Sequence, residues 1–370
     1  MTTETDNITK VLVVDDSAFM RKAISIMLES DPQIKVVGLA RDGEEAVEKV
    51  RLLRPDLITM DVEMPRMDGL AALQQIMKSD PTPVMMISSI TTAGAEATLE
   101  ALELGAVDFI PKQMSFVSLD IVRIKDELLA KIKDIARRKH LLMAQYRHRQ
   151  YARTGKRVDS PAMTSATPTA QGAPPAVRRR NHSIGIVAVG SSTGGPPALS
   201  TLLTRLPGKL PVGVVIAQHM PPQFTKSLAE RLDSICQLIV REAVDGEKVL
   251  PGLVLIAPGG QNMTVKRRGG DAIVAVSPEP VSTLYKPCVD VLMNSVADSF
   301  GGSTLGVILT GMGNNGVQGV RHVKDKGGVV VAQSEQTCVV YGMPRAVIEA
   351  GLADHIAAID DIPAEITAYF

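Results

Sequence analysis

Residues 10–30 read KVLVVDDSAFMRKAISIMLES: a β-branched apolar run, two aspartates, then a helical pattern opening on a serine. The first seven residues predict a buried strand. The apolar spacing over 17–30 predicts an amphipathic helix with Phe19, Ile24, Met27 and Leu28 on one face. The couplet recurs: runs at 34–40, 56–61, 83–89 and 107–112 read as strands, with helical stretches between them. Five such β–α units predict an open parallel sheet with helices on both faces. The carboxyl ends of its strands converge on one edge, where ligands bind. That edge would carry Asp15, Asp16, Asp61, Ser88 and Lys112. Three carboxylates so placed repel one another unless a hard divalent cation lies among them, and oxygen-only ligation suits Mg²⁺. With a lysine and a hydroxyl alongside, such a site can take a phosphoryl group on Asp61. The plainer reading of Asp15 and Asp16 is that they cap the helix starting near Ser17.

The 370 residues, 45% hydrophobic and 22% charged, suffice for two or three domains with full-sized cores. A net charge of zero hides an asymmetry. Residues 1–135 hold 23 acidic and 15 basic side chains, 136–180 hold one acidic and 11 basic, and 181–370 hold 16 acidic and 14 basic. Two mildly acidic bodies therefore flank a basic strap. Residues 120–150 continue as a charged amphipathic helical stretch. Residues 153–183, rich in Pro, Ser, Thr, Ala and Arg without apolar periodicity, read as a linker. The expected units are 8–125, 126–183 and 184–370. The polar N-terminus has no apolar signal segment, and no run approaches the roughly 18 to 20 apolar residues of a membrane span. A cytoplasmic monomer without membrane insertion is expected. Cys236, Cys288 and Cys338 form no CxxC pair, which argues against a disulfide framework or a zinc site. No helix-turn-helix pattern follows the strap, so acidic protein surfaces fit it better than nucleic acid does.

The second body opens with IGIVAVG (184–190), and further strand-like runs fall at 212–217, 253–257, 273–276, 305–310 and 328–332. VAVGSSTGGPPALSTLL (187–203) reads as strand, glycine-rich turn and helix, with Pro196 and Pro197 in the first helical turn. It has neither GxGxxG nor the Lys-Ser/Thr pair of a P-loop, which argues against a nucleotide site. What remains is two serines and a threonine at a strand-to-helix turn, where free backbone N–H groups can stabilise an oxyanion. A Ser N-cap is the plain alternative. VGVVIAQHMPPQF (212–224) puts His219 at a strand end. His140, His148 and His182 lie in the strap, and His322 and His355 read as helical, so His219 is the candidate base. LGVILTGMGNNG (305–316) is a third strand running into a glycine-rich loop. Ser, His and a polar pair at three strand ends form a nucleophile–base–orienter set that calls for no cofactor. Cys288 with His219 is a weaker rival, since YKPCVD has no glycine elbow and buried cysteines are commonly structural.

The first body, in VVDDSAFMRK, DLITMDVEMPRMDG, PVMMISS and DFIPKQ, resembles a response-regulator receiver domain of flavodoxin-like fold. The resemblance implies that Asp61 is the phosphoacceptor and that Asp15, Asp16 and Asp61 bind Mg²⁺ with the Glu63 backbone carbonyl. It also implies that Lys112 contacts the phosphate, with Ser88 and Phe109 as switch hydroxyl and switch aromatic. The second body, in GSSTGGPPAL, QHMPPQFTKSLAERLD, DGEKVLPGLVLIAPGG, KPCVDVLMNSVA, GVILTGMGNNG and VVYGMPRAVIEAG, resembles the doubly wound α/β catalytic domain of CheB-type chemotaxis protein-glutamate methylesterases. That implies Ser192 as nucleophile, His219 as general base, Thr193 within the site and Met312 lending backbone near the oxyanion. The implied reaction is hydrolysis of γ-glutamyl methyl esters, and deamidation of glutamines, in methyl-accepting chemotaxis receptors. A chemotaxis histidine kinase is the implied phosphodonor, and the unphosphorylated receiver is expected to cover the cleft.

One position departs from the pattern. The family's loop typically ends Gly-Met-Gly-Asn-Asp-Gly, whose Asp orients the histidine, and this chain has Asn315. An amide oxygen can still accept the imidazole N–H, but it carries no charge, and a flipped amide favours the wrong tautomer. Asp290 and Glu335 are conceivable sources of the missing carboxylate. The departure is expected to leave esterase activity detectable but reduced, and it also raises a second reading, a phosphorylation-responsive receptor-binding and phosphate-sink module whose esterase site is impaired.

Overall fold

The computed structural model describes residues 8–112, 120–154 and 183–370; most of the expected linker lies outside the described residues. The first body runs β1 (Thr9–Val14), α1 (Ala18–Glu29), β2 (Ile34–Ala40), α2 (Gly43–Leu53), β3 (Leu57–Asp61), α3 (Gly69–Ser79), β4 (Val84–Ser89), α4 (Thr92–Leu104), β5 (Asp108–Lys112). All five strands are parallel, in the order β2-β1-β3-β4-β5. The middle strand β3 is buried throughout, which is why LITMD reads as a continuous run rather than an alternation. Helix α1 is capped by Ser17, whose Oγ accepts from the Met20 N–H at 3.3 Å.

Phe19 corrects one expectation: it is 64% exposed, while Ile24 and Leu28 are buried. The inner stripe is Met20, Ile24 and Leu28 with Met27 beside it, and Phe19 stands one residue, about 100°, off that stripe. Helices α5 (Asp120–Arg137) and α6 (Lys139–Thr154) follow, and α5 runs across position 125, where a unit boundary was expected. Leu128, Ile132 and Ile135 of α5 are buried. Lys133 of α5 stands 2.7 Å from Asp31, and Lys139, in the strap, answers the acidic first body at 3.0 Å from Asp56.

The second body runs β6 (Ile186–Ser191), α7 (Gly195–Leu203), β7 (Gly213–Gln218), α8 (Phe224–Ile235), β8 (Ile239–Glu242), β9 (Leu253–Ile256), β10 (Asn262–Arg268), β11 (Asp271–Ser277), α9 (Val289–Phe300), β12 (Thr304–Ile308), α10 (Val317–Asp325), β13 (Val329–Gln333), α11 (Met343–Glu349), β14 (His355–Ala357) and α12 (Ile362–Thr367). Seven parallel strands lie in the order β14-β13-β12-β6-β7-β9-β8, and β10 pairs antiparallel with β11 outside that sheet. The chain passes from β6 to β7 on one side and later places β12 on the other. The crevice beyond β6 is thus the topological switch point, where open α/β sheets bind ligands. Strands β8, β10 and β14 had no counterpart in the periodicity: two are short edges and one is half of a hairpin outside the main sheet. His355 accordingly lies in a strand, not a helix. Among the described residues no helix is long and apolar enough to cross a membrane.

Candidate active site

Ser192 directly follows β6, and a tight turn carries the chain into α7. Gly194 takes φ +74 as the N-cap, a left-handed conformation that favours glycine, and Pro196 sits in the first turn. Gly195 admits a neighbour that the sequence did not mark: a Cβ there would collide with the Gln218 side-chain oxygen. Gln218, 1% exposed, donates through Nε2 to the carbonyls of Ser192 (2.9 Å) and His219 (3.1 Å). Its Oε1 accepts from Ser191 Oγ at 2.6 Å. Thr310 holds the other side, accepting the Ser192 N–H on its carbonyl (3.0 Å), with Oγ1 2.9 Å from the Thr193 carbonyl. Thr193 is 2% exposed, and its own hydroxyl has no partner among the described residues. The backbone N–H groups of Thr193 and Met312 likewise have no acceptor among the described residues.

His219 follows β7, and its Nε2 lies 2.8 Å from Asn315 Oδ1. The ring stacks on Tyr285 at 4.5 Å between centroids, and its buried Nδ1 has no partner among the described residues. Burial pushes the imidazole down to about 4, against the upward pull of the Asn315 bond and of the Glu127 and Asp290 charges. His219 is therefore neutral, and able to take a proton, from about pH 4 upward. Because its folded value lies below the usual 6.5, protonation favours the unfolded chain. Its contribution to stability is complete above about pH 6.5 and is lost as pH falls toward 4. An NMR titration of the His219 ring in the unphosphorylated chain is expected to show a midpoint well under 6.5. A midpoint at 6.5 or higher would contradict the enclosed ring.

Of the two conceivable carboxylates, Glu335 is engaged elsewhere, 3.2 Å from Arg138. Asp290, by contrast, accepts from Asn315 Nδ2 at 2.8 Å. Cys288 is buried, and its Sγ takes a weak 3.2 Å bond from the same Nδ2.

Ser192, Thr193, His219, Tyr285 and Met312 line one cavity of about 330 Å³. Its opposite wall is not catalytic-domain surface. Asp108, Phe109 and Pro111 of β5 and Glu127 and Lys131 of α5 close it. Phe109 stacks on Phe224 at 4.6 Å with planes 7° apart, and Arg231 forms an ion pair with Glu103 across the same seam. Lys131 bonds to Asp108 (2.8 Å), Glu127 (2.9 Å) and the Phe109 carbonyl (3.2 Å), fixing α5 to the start of β5.

At the edge of the first sheet, Asp15, Asp16 and Asp61 offer oxygens that all lie within 4.8 Å of one another. Lys112 Nζ stands 2.6 Å from Asp61 and 2.9 Å from Asp15. Burial raises Asp61 to about 6 despite Lys112, and the Asp15 charge adds to the rise. Asp15 also accepts the Ser17 N–H at 2.9 Å, so it supports the helix start and the acidic cluster together. Ser88 is buried, and its hydroxyl donates to the Gly94 carbonyl at 3.0 Å, toward α4. Glu63 is exposed two residues beyond Asp61.

Comparison with known proteins agrees with both halves of this description. The family model for CheB methylesterase matches residues 187–366, and that for the response regulator receiver domain matches residues 11–122. Protein-glutamate methylesterase/protein-glutamine glutaminase 1 of Oleidesulfovibrio alaskensis is 51% identical over 362 residues, covering 95% of this chain and 97% of the relative. The corresponding protein 2 of Nitratidesulfovibrio vulgaris is 52% identical over 370 residues, covering 96% and 98%. The crystal structure of the Thermotoga maritima CheB methylesterase catalytic domain superposes with a TM-score of 0.50 at 44% identity, covering 51% of this chain and all of that one.

Proposed function

Since the chain belongs to the protein-glutamate methylesterase/protein-glutamine glutaminase family, with a receiver joined to a CheB methylesterase domain, we propose that Ser192 and His219 carry its reaction. The protein is a phosphorylation-regulated hydrolase. Its substrates are γ-glutamyl methyl esters, and glutamines, of methyl-accepting chemotaxis receptors. The observation that carries the residue assignment is that His219, held by a 2.8 Å bond to Asn315, lines the same cavity as Ser192.

The Asn315 bond occupies Nε2, so Nδ1 is the ring nitrogen left to act as base. Ser192 Oγ attacks the ester carbon while its proton passes to His219 Nδ1. The carbonyl oxygen becomes an oxyanion, which the free N–H groups of Thr193 and Met312 are suited to receive. Collapse expels methanol, or ammonia from glutamine, with the proton returned by His219. Water then hydrolyses the acyl-enzyme by the same route in reverse. The unpartnered Thr193 hydroxyl is a ready contact for a substrate polar atom. The relatives named protein-glutamate methylesterase/protein-glutamine glutaminase, matched over nearly their whole length, do not favour the non-catalytic binding-module reading. The direct test is methanol release from methylated receptor, with Ser192→Ala as the variant lacking the attacking oxygen.

In the receiver, Asp61 is the proposed phosphoacceptor and a chemotaxis histidine kinase the phosphodonor. The all-oxygen cluster of Asp15, Asp16 and Asp61, with the Glu63 carbonyl, fits Mg²⁺, since one lysine does not neutralise three carboxylates. When bound, the cation shields the charge of the incoming phosphoryl group. Lys112, 2.6 Å from Asp61, is the proposed contact for a phosphate there, and the Ser88 hydroxyl would leave Gly94 to join it. Phe109, the proposed switch aromatic, lines the catalytic cavity. Calorimetric titration with Mg²⁺ is expected to show Asp15→Asn binding at least about tenfold more weakly, the loss seen even for outer partners of metal ligands. Equal affinities would remove Asp15 from the ligand set.

A further inference from the structure

Asparagine as the partner of a catalytic histidine has a weakness that aspartate lacks: its two ends differ. If the amide turns over, it presents NH₂ to the imidazole, and the ring must then carry its lone pair on the wrong nitrogen. Something must therefore fix which end of Asn315 faces His219.

Two groups meet that need. The Val289 N–H donates to Asn315 Oδ1 at 2.8 Å, from the first residue of α9. Asp290 Oδ2 accepts from Asn315 Nδ2 at 2.8 Å. Turning the amide over would set oxygen against carboxylate and NH₂ against N–H. Asp290 is itself fixed, since its Oδ1 accepts the Gly319 N–H at 2.8 Å. Gly319 lies in the first turn of α10, where backbone donors lack intrahelical partners, and a Cβ on it would collide with the packing of α9 against α10. The glycine lets the two helices approach closely enough for this bond.

We propose that Asp290 is a positioning residue for the esterase reaction: its carboxylate locks the Asn315 amide with Oδ1 toward His219, so that Nε2 carries the proton and Nδ1 is free to act as base. The charge that the orienting position lacks is thus supplied one hydrogen bond further out. This rests on the assignment of Ser192 and His219 above.

A purely structural role, capping α10, can be separated from this one by Asp290→Asn in the full chain. The new side chain can still give its oxygen to the Gly319 N–H, keeping the cap. It then turns an NH₂ toward the NH₂ of Asn315 and releases the lock. Turnover of methylated receptor is expected to fall about 10- to 100-fold, the range typical of outer positioning partners, with little change in thermal midpoint. The double variant Asp290→Asn/Asn315→Asp places the carboxylate next to His219 and an amide donor behind it. It is expected to recover at least about tenfold over Asp290→Asn, with the acid limb of kcat moved to higher pH because the charge now touches the imidazole. Wild-type turnover in Asp290→Asn, or a double variant no better than it, would overturn the proposal. Ser192→Ala, assayed alongside, keeps the two readings apart. If it retains activity, the Ser192 assignment falls. If it is inactive while Asp290→Asn is unimpaired, only the role of Asp290 falls.

Discussion

Ser192→Ala is expected to lower methanol release from methylated receptor between about 10⁴- and 10⁶-fold, the span seen when a serine hydrolase loses one member of its catalytic set. That is roughly 5 to 8 kcal/mol of barrier. The remaining rate comes from the oxyanion donors and substrate binding, which the substitution leaves in place. The Ser192 hydroxyl makes no hydrogen bond among the described residues; the turn is held by the backbone of Ser192 and by Gln218 and Thr310. The fold should therefore not register the change, and circular dichroism and thermal midpoint serve as controls. A variant within tenfold of wild type would remove Ser192 from the chemistry.

The second large effect concerns the receiver. A fragment of residues 184–370 is expected to hydrolyse receptor ester at least about tenfold faster, at low substrate, than the unphosphorylated full chain. Phe109, Pro111 and Lys131 wall the cavity that Ser192 and His219 line, so removing them opens that side to a receptor segment. An aromatic stack such as Phe109–Phe224 contributes about 0.5 to 1.5 kcal/mol beyond its buried area, and a few kcal/mol of such contact moves a two-state equilibrium by orders of magnitude. The homologous Thermotoga maritima catalytic domain forms crystals by itself, so the fragment is a reasonable object to prepare. Phe109→Ala in the full chain should give a smaller gain of the same sign. Asp61→Ala should abolish stimulation by phosphodonors while leaving basal activity. A fragment no faster than the full chain would sink the idea that the receiver restrains the enzyme.

Much of this was legible because strand ends carry chemistry. Buried parallel strands leave unbroken apolar runs, and the polar residue that ends each run marks the sheet edge, so Asp61 and His219 stood out one by one, whereas only the family resemblance separated Ser192 from Ser191 and Thr193. Side chains that act across the fold left no such mark. Gln218 looks like the polar end of a strand, and its role emerges only where Gly195 makes room for it. Asp290 could be nominated beside Glu335 but not chosen, because the choice depends on how α9 packs against α10. Phe19 was misplaced because a residue 100° off a stripe still fits a loose apolar pattern. Strands β8 and β14 escaped because edge strands need few apolar residues.

The buried amide of Gln218 has a kinetic consequence. It ties the carbonyls of Ser192 and His219 to one side chain, and no receiver residue takes part in those bonds. If phosphorylation lifts the receiver, it would therefore uncover a site whose Gln218 bonds are already made instead of assembling them. If closed molecules cannot bind receptor and open ones are all alike, phosphorylation changes only the open fraction. Apparent KM then scales as the inverse of that fraction, while kcat stays constant. Phosphorylated and unphosphorylated protein would approach the same rate on densely methylated receptors and part company on sparse ones. On this account the receiver sets the substrate density at which the enzyme begins to respond, and leaves its top speed alone.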